Sequence, residues 1–357
     1  MKSKTILFFV TLFNLTSFVT SLASAEPCRK VARNARINAV GDILIHQSLY
    51  KVAVASEHRF MGLWGQLNPI LADADLTVGN LEGPLAPGTL RGGRQTQDPG
   101  WVYDGRVYTG TDMIFNFHPY LAEDLKDSGF DLVTTANNHA LDRGSAGMDL
   151  TIENLNKYNL DYVGTRTSNE AWQGKVVSAG GLKIGVVACT EGTNGWEDGM
   201  SQVVLCSGDT VVQLIQSLTP KTDAVIVFPH WGAEYKPNPN GTQRQWAKNW
   251  ITAGALVVIG NHPHVLQTTE WIPKSDGRNG FVIYSLGNFV AGQGAFEKRV
   301  TAIAHLDLKK TSAGAIVNQF SYTPLVRPSG SASLTVVSED SAEAQHVRNQ
   351  LGNEVCQ

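Results

Sequence analysis

The stretch Val257-Val-Ile-Gly-Asn-His-Pro-His264 decides how the rest of the chain is read. Three branched apolar residues suit a buried strand, and Gly260 lets the backbone turn sharply into a loop from which His262 and His264 aim at one point. A metal site at the carboxyl end of a strand has this form. Alone, a His-x-His pair is weak evidence, because neutral histidines also sit hydrogen-bonded beside a core. Four other stretches repeat the design of an apolar strand followed by ligand-type residues: Asn38-Ala-Val-Gly-Asp42, Leu76-Thr-Val-Gly-Asn-Leu-Glu82, Leu132-Val-Thr-Thr-Ala-Asn-Asn-His139 and Ala224-Val-Ile-Val-Phe-Pro-His230. Five strand ends of one kind point to one centre.

Outward from that stretch, strands and helices alternate. Residues 36–42 read as a first strand, with Gly41 freeing the turn so that Asp42 stands at its carboxyl end and His46 follows one turn later. Residues 47–54 and 64–73 have helical apolar spacing and residues 76–79 read as a second strand, which implies a β-α-β unit. A helix ends at Gly129, residues 130–135 form a third strand, and Met148, Ile152 and Leu155 recur at spacings of three and four on a core-facing helix. Residues 175–190 read as a hairpin about Gly180-Gly181, and a helix at 209–218, a strand at 224–228 and a helix at 243–253 lead to the Val257 strand. Beyond it, the strand-like runs 281–286, 300–308 and 315–322 suit antiparallel partners completing a second sheet, with a final helix within 338–352. Residues 83–118 lack periodicity and are too long for an ordinary connection, so they read either as a loop or lid over the site or as a surface insertion.

With 357 residues, 42% of them hydrophobic and 17% charged, the chain can bury a substantial core. Its formal charge of −3 comes with no basic block, which argues against nucleic acid or an anionic membrane surface as a partner. Lys2 and Lys4, the apolar run 5–19 and Ala23-Ser-Ala25 together read as an export signal cleaved after Ala25. The mature chain then begins at Glu26 in the periplasm or outside the cell, and the loss of two lysines takes its charge from −3 to −5. Cys28, Cys189, Cys206 and Cys356 all lie in the mature part, and an even number in an exported chain favours disulfides. Of the three pairings, Cys189 with Cys206, closing a Gly-rich loop, and Cys28 with Cys356, joining the termini, are expected.

A divalent metal centre needs neutral imidazoles, carboxylates and a carbonyl oxygen converging from several strands. Asp42 offers a carboxylate, Glu82 a second one suited to bridging, Asn138 an amide oxygen, and His230, His262 and His264 three imidazoles. The ordered set Gly41-Asp42, Asn80-Leu-Glu82, Ala136-Asn-Asn-His-Ala-Leu-Asp142, His230-Trp-Gly-Ala-Glu-Tyr235, Gly260-Asn-His-Pro-His264 and Ser285-Leu-Gly-Asn-Phe289 resembles the bacterial capsule synthesis protein CapA family. That family is tied to poly-γ-glutamate capsule production and is similar in turn to the calcineurin-like metallophosphoesterases.

The resemblance implies an α/β fold of the calcineurin-like metallophosphoesterase type, an αββα sandwich of two mixed sheets flanked by helices. It implies a single domain over residues 26–357, with a motif-bearing core at 36–289, the loop insertion 83–118 and a β-rich completion at 281–325. One or two divalent ions, from manganese, iron, zinc and magnesium, are implied as cofactors: Asn138, His230 and His262 would hold one, Asp42 and His264 the other. His139 would be the general acid beside the leaving group. Leu44 stands where the phosphoesterase motif has a histidine and Asn80 where it has a bridging aspartate, so Glu82 is expected to bridge and His46 to substitute as a ligand, with Asn80 a further neutral donor. Asp142 and Arg143 are expected to orient His139 or bind an anionic substrate, with a loop salt bridge as the alternative, and Glu234, Tyr235 and Asn288 to support the ligands.

Two functions are compatible with these residues. One is an exported metal-dependent hydrolase or transferase of capsule metabolism, acting on a phosphoester or γ-glutamyl bond. The other is a non-catalytic polymer-binding subunit of a membrane-bound capsule synthesis or export machine, which needs only a cleft with cations such as Arg94, Arg106 or Arg143.

Overall fold

Alternation along Ala35–Leu44 sends Ala35, Ile37 and Ala39 to one face and Val40 and Ile43 towards the other. Both faces are apolar because this strand is central, with helices on one side and a second sheet on the other. The computed structural model describes residues 33–111, 113–168 and 170–356, without the side chain of Cys356; the export signal and the expected Cys28–Cys356 pair lie outside the described residues.

The first sheet runs in the order Thr335–Val336, Gly314–Val326, Val300–Thr311, Ala35–Leu44, Leu76–Leu81, Leu132–Thr134, Asp161–Val163. Its last four strands are parallel, and Asn288–Ala291 pairs in parallel with the end of Ala35–Leu44. The second sheet runs Leu266–Pro273, Asn279–Leu286, Val257–Ile259, Ala224–His230, Leu182–Thr190, Lys175–Ala179, and its middle four strands are parallel. Between the sheets lies a core that includes Ile37, Val78, Leu132, Ile184, Ile226, Val257 and Phe281. Outside them, Leu49, Trp64, Leu121 and Leu125 cover the first sheet, while Val211, Ile215, Trp250 and Ile251 cover the second. The result is the expected αββα layering of an α/β fold. Each fully buried aliphatic or aromatic side chain contributes roughly 1.5–3 kcal/mol.

Three expectations need correction. The strands Val300–Thr311 and Gly314–Val326 extend the first sheet beside Ala35–Leu44 instead of completing the second. Their period-two pattern could not choose between sheets, since Ala302, Ala304 and Leu306 face the inter-sheet core while Ile303 packs under the helices. The helix expected at 64–73 is broken into Gly65–Leu67, a 3-10 turn, and Asn68–Leu71, where Pro69 starts the new turn because it has no N–H to continue the old one. Residues 83–118 are not a loose ornament: they carry the hairpin Thr109–Thr111 with Ile114–Asn116 and bury Leu85, Val107, Tyr108, Phe115 and Phe117. Among the described residues no helix is long and apolar enough to cross a membrane.

Parallel strands place their carboxyl ends on one edge, and in open α/β sheets that edge is where ligands bind. Asp42, Glu82, Asn138, His230 and His264 all follow or terminate such strands.

Candidate metal centre

Asp42, Glu82, His230 and His264 are almost wholly buried, at 0 to 2% exposure, and His230, His262 and Asn138 line a cavity of about 220 Å³ whose walls also include Thr190 and Asn194. The ligand-type atoms therefore lie at the bottom of an opening. Glu82, His262 and His264 present ligand atoms that all lie within 4.8 Å of one another.

Close backbone approach sets this geometry. A Cβ on Gly41 would sit 1.9 Å from the Gly287 carbonyl, and one on Gly260 would sit 2.0 Å from that of Tyr284. These glycines are thus required for contact between neighbouring strands and not for the turn itself. The left-handed backbone falls on the histidines instead, with φ of 96° at His262 and 57° at His264. Such conformations cost non-glycine residues on the order of 1–3 kcal/mol each and are concentrated at functional sites. The main-chain N–H of His262 donates to Asp42 Oδ2 at 3.2 Å, which ties the histidine loop to the first strand.

Around His230 Nε2 stand three atoms able to accept a hydrogen bond: Asn138 Oδ1 at 2.8 Å, His262 Nδ1 at 3.0 Å and Glu82 Oε1 at 3.3 Å. A neutral imidazole nitrogen has at most one proton to give. Burial pushes the pKa values of His230 and His262 down to about 3, so both rings are neutral at physiological pH. Neither oxygen of the buried Glu82 receives a hydrogen bond, and burial followed by the nearby Asp42 charge pushes its pKa up to about 8. Burial works against a charged His264, but Glu82 and Asp42 outweigh it and hold its pKa up at about 9. Asp42 is lowered despite its burial, through His264 and His230. Lone pairs thus converge where few protons are available, and a divalent cation satisfies such a donor set of imidazole, carboxylate and amide oxygen.

Hydrogen bonds hold these groups in place. Asn138 Nδ2 donates to Asn194 Oδ1 at 3.2 Å, which turns the Asn138 oxygen towards His230. His264 Nδ1 lies 2.9 Å from Asn288 Oδ1 and 3.1 Å from Asp42 Oδ2, while Asn288 Nδ2 donates to the carbonyls of His264 and Lys298. His139 Nδ1 lies 2.9 Å from Asp142 Oδ2, which also accepts from the Phe115 main chain at 2.7 Å. Asp142 thereby fixes the orientation of the His139 ring.

Several expected residues stand elsewhere. Asn80 is consumed as a hydrogen-bond node: it donates to Asp42 Oδ1, and its Oδ1 accepts from Thr134 and Asn137. The Nδ1 of His46 faces the Leu44 carbonyl and the Gly292 N–H, and its ring packs on Phe115, so that nitrogen is not offered to the cluster. Arg143 is fully buried and donates to the carbonyls of Thr89, Asp142, Arg106 and Val107, so it holds the insertion to the core and is neither exposed to an anionic substrate nor in a loop salt bridge. Glu234 is near enough for its charge to raise the pKa of Glu82 and of His264. The Tyr235 ring stacks under the Lys298 ammonium and lies 6.0 Å from the His264 ring. Asn194 and Thr134 were not singled out by sequence; the only signal for Asn194 is the Asn-Gly turn of its loop. The Cys189–Cys206 disulfide closes that loop, as its spacing suggested.

The family described as bacterial capsule synthesis protein PGA_cap matches residues 36–293. The "PGA biosynthesis protein CapA" of Bacillus subtilis (strain 168) is 30% identical over 292 residues, 80% of this chain and 70% of that protein. The "Capsule biosynthesis protein CapA" of Bacillus anthracis is 27% identical over 282 residues, 76% of this chain and 63% of that protein. Among solved structures, a putative 5'-nucleotidase from Staphylococcus aureus shares the fold with a TM-score of 0.52 at 16% identity, covering 88% of this chain and 57% of that one. The calcineurin-like phosphoesterase YfkN from Bacillus subtilis aligns with a TM-score of 0.46 at 15% identity, over 88% of this chain and 95% of that one.

Proposed function

Since this chain belongs to the bacterial capsule synthesis protein PGA_cap family, we propose that it is an exported metal-dependent hydrolase or transferase of capsule metabolism, acting on a phosphoester or γ-glutamyl bond. The observation that carries this reading is the buried Glu82 carboxylate, both of whose oxygens lack a hydrogen-bond donor beside His230, His262 and His264. Asp42, Glu82, Asn138, His230, His262 and His264 are the residues that would hold one or two divalent ions. When bound, such an ion supplies Lewis-acid polarisation and a more acidic water. His139, oriented by Asp142, delivers a proton to the leaving group, and Asn288 keeps His264 turned towards the centre. We assign residues 1–25 to a cleaved signal and residues 26–357 to one domain. The Cys189–Cys206 disulfide supports an oxidising compartment.

A second reading, a non-catalytic polymer-binding subunit, is favoured by one observation. Asn80, where a bridging aspartate is expected, spends its amide on Asp42, Thr134 and Asn137 and leaves the centre one carboxylate poorer. Assay of the metal-loaded mature protein against p-nitrophenyl phosphate, bis-p-nitrophenyl phosphate and γ-glutamyl oligomers separates the two. Turnover that disappears in His139→Ala supports the enzyme, and no turnover with any of the three supports the subunit.

A further inference from the structure

Asn194 also lines a second depression of about 450 Å³, together with Arg91, Met113, Ile114, Gly195 and Trp196. Asn194 lines both hollows, so they adjoin at the residue that orients Asn138. We propose that this trough is a second subsite, in which Arg91 binds a carboxylate of an extended γ-glutamyl chain and Trp196 supports the chain's methylenes while its reacting bond lies at the metal centre. The proposal rests on the functional reading above and adds to it the length and charge of the substrate.

Both walls are built to stay in place. The Arg91 loop is closed by Leu90 N–H to the Arg94 carbonyl at 2.9 Å and Thr96 N–H to the Gly88 carbonyl at 2.7 Å, and the buried Arg143 donates to the Thr89 carbonyl at 3.0 Å. The buried arginine is therefore a strut for an exposed one. The opposite wall is bracketed by Cys189–Cys206, with Thr193 Oγ1 donating to the Trp196 carbonyl at 2.6 Å. The Arg91 guanidinium lies 5.4 Å from the Trp196 ring centroid, a cation–π contact that spans the trough and limits the arginine's freedom. A guanidinium restrained in this way presents a planar fork to carboxylates at little further entropy cost.

The carboxylates of the neighbouring loop are not paired with Arg91. Asp198 accepts from the main-chain N–H groups of Gln202 and Val203, and Glu191 accepts from that of Gly232, so both are engaged. Glu197 is exposed on the same loop. Among the described residues none forms an ion pair with Arg91. The exposed edges of Met113, Ile114 and Trp196 suit the methylenes between successive carboxylates of a γ-linked chain.

Binding without turnover tests this, so that the result does not depend on catalysis. Calorimetric titration of the mature protein with a γ-linked glutamate dimer and decamer should show the decamer binding about tenfold more tightly, the scale of one charge-assisted contact. In Arg91→Ala that ratio should fall towards one, with Arg91→Lys between, while Lys248→Ala, which removes an exposed charge elsewhere, keeps the wild-type ratio. Trp196 fluorescence should change on decamer addition. An unchanged ratio in Arg91→Ala, or a wild type that shows no length dependence, overturns the subsite. A protein that binds the decamer in this manner yet cleaves nothing supports the subsite and contradicts the enzyme.

Discussion

His230 Nε2 and His262 Nδ1 face each other across 3.0 Å, with the rings tilted at 60° and their centroids 4.7 Å apart. Two neutral imidazoles can share one proton between them, but Asn138 Oδ1 crowds the same nitrogen with no proton to offer, and Glu82 Oε1 does so whenever its carboxyl is ionised. The cluster is thus short of positive charge, which gives its variants opposite effects on metal binding and on stability.

Glu82→Gln is the clearest case. It replaces a buried carboxylate that no donor serves by a neutral amide of the same shape. Without metal the variant should melt at or above the temperature of wild type near neutral pH, because the wild-type carboxyl must take up a proton to stay buried and the amide need not. With metal it should bind the ion less tightly. Thermal melts with and without added manganese or zinc read both signs; a variant less stable than wild type in chelator contradicts the account.

His139 should separate chemistry from metal retention. His139→Ala is expected to keep its metal and lose turnover by about 10²- to 10⁴-fold. Asp142→Asn should give a smaller loss with a displaced pH profile, since Asp142 orients the ring and does not touch the cluster. Kinetics and elemental analysis on the same preparations check this, and loss of metal in His139→Ala would assign the ring to the ligands instead.

The pH dependence of the metal-free protein follows from the shifted groups. Glu82 moves from 4.5 up to about 8 and His264 from 6.5 up to about 9, so the folded state binds more protons than the unfolded one in those windows and stability falls as pH rises through them. His230 and His262 move from 6.5 down to about 3, so they remove stability as pH falls below 6.5 and oppose Glu82 there. Between pH 6.5 and 9 nothing within the cluster opposes the fall. Chelator-treated protein should lose melting temperature across that interval, and added metal should restore most at the alkaline end. A flat profile in chelator contradicts this.

Cys189 and Cys206 lie 17 residues apart in sequence, and for a loop of that size a disulfide contributes about 3 kcal/mol. The double Cys→Ser variant should therefore unfold at lower denaturant, with a larger relative loss of activity because the loop between them carries Asn194. Equal midpoints for variant and wild type would show that the bridge contributes nothing.

The strand ends that carry the centre are legible in the sequence because parallel strands force their carboxyl termini to one edge: Asp42, Glu82, His230 and His264 need only an apolar run before them to be found. Asn194 is not legible, since it reaches Asn138 from a loop held by tertiary contacts and a disulfide. The burial of Arg143 is equally hidden, because an arginine that serves four carbonyls and one that serves a substrate look alike until the insertion is packed. Gly260 could be noticed, but its reason, the Tyr284 carbonyl against its missing Cβ, belongs to the paired strand. Sheet membership of Val300–Thr311 is lost for a related reason: both its faces are apolar.

The central claim is that the buried cluster holds a divalent ion. Elemental analysis of wild type and His230→Ala, each purified from the cell envelope and equilibrated with manganese, iron, zinc or magnesium, tests it most directly. The account predicts about one to two ions bound per wild-type chain, a sharp loss in His230→Ala, and melting curves showing that the variant remains folded. Wild-type protein that retains no divalent metal under any of these loadings would contradict it.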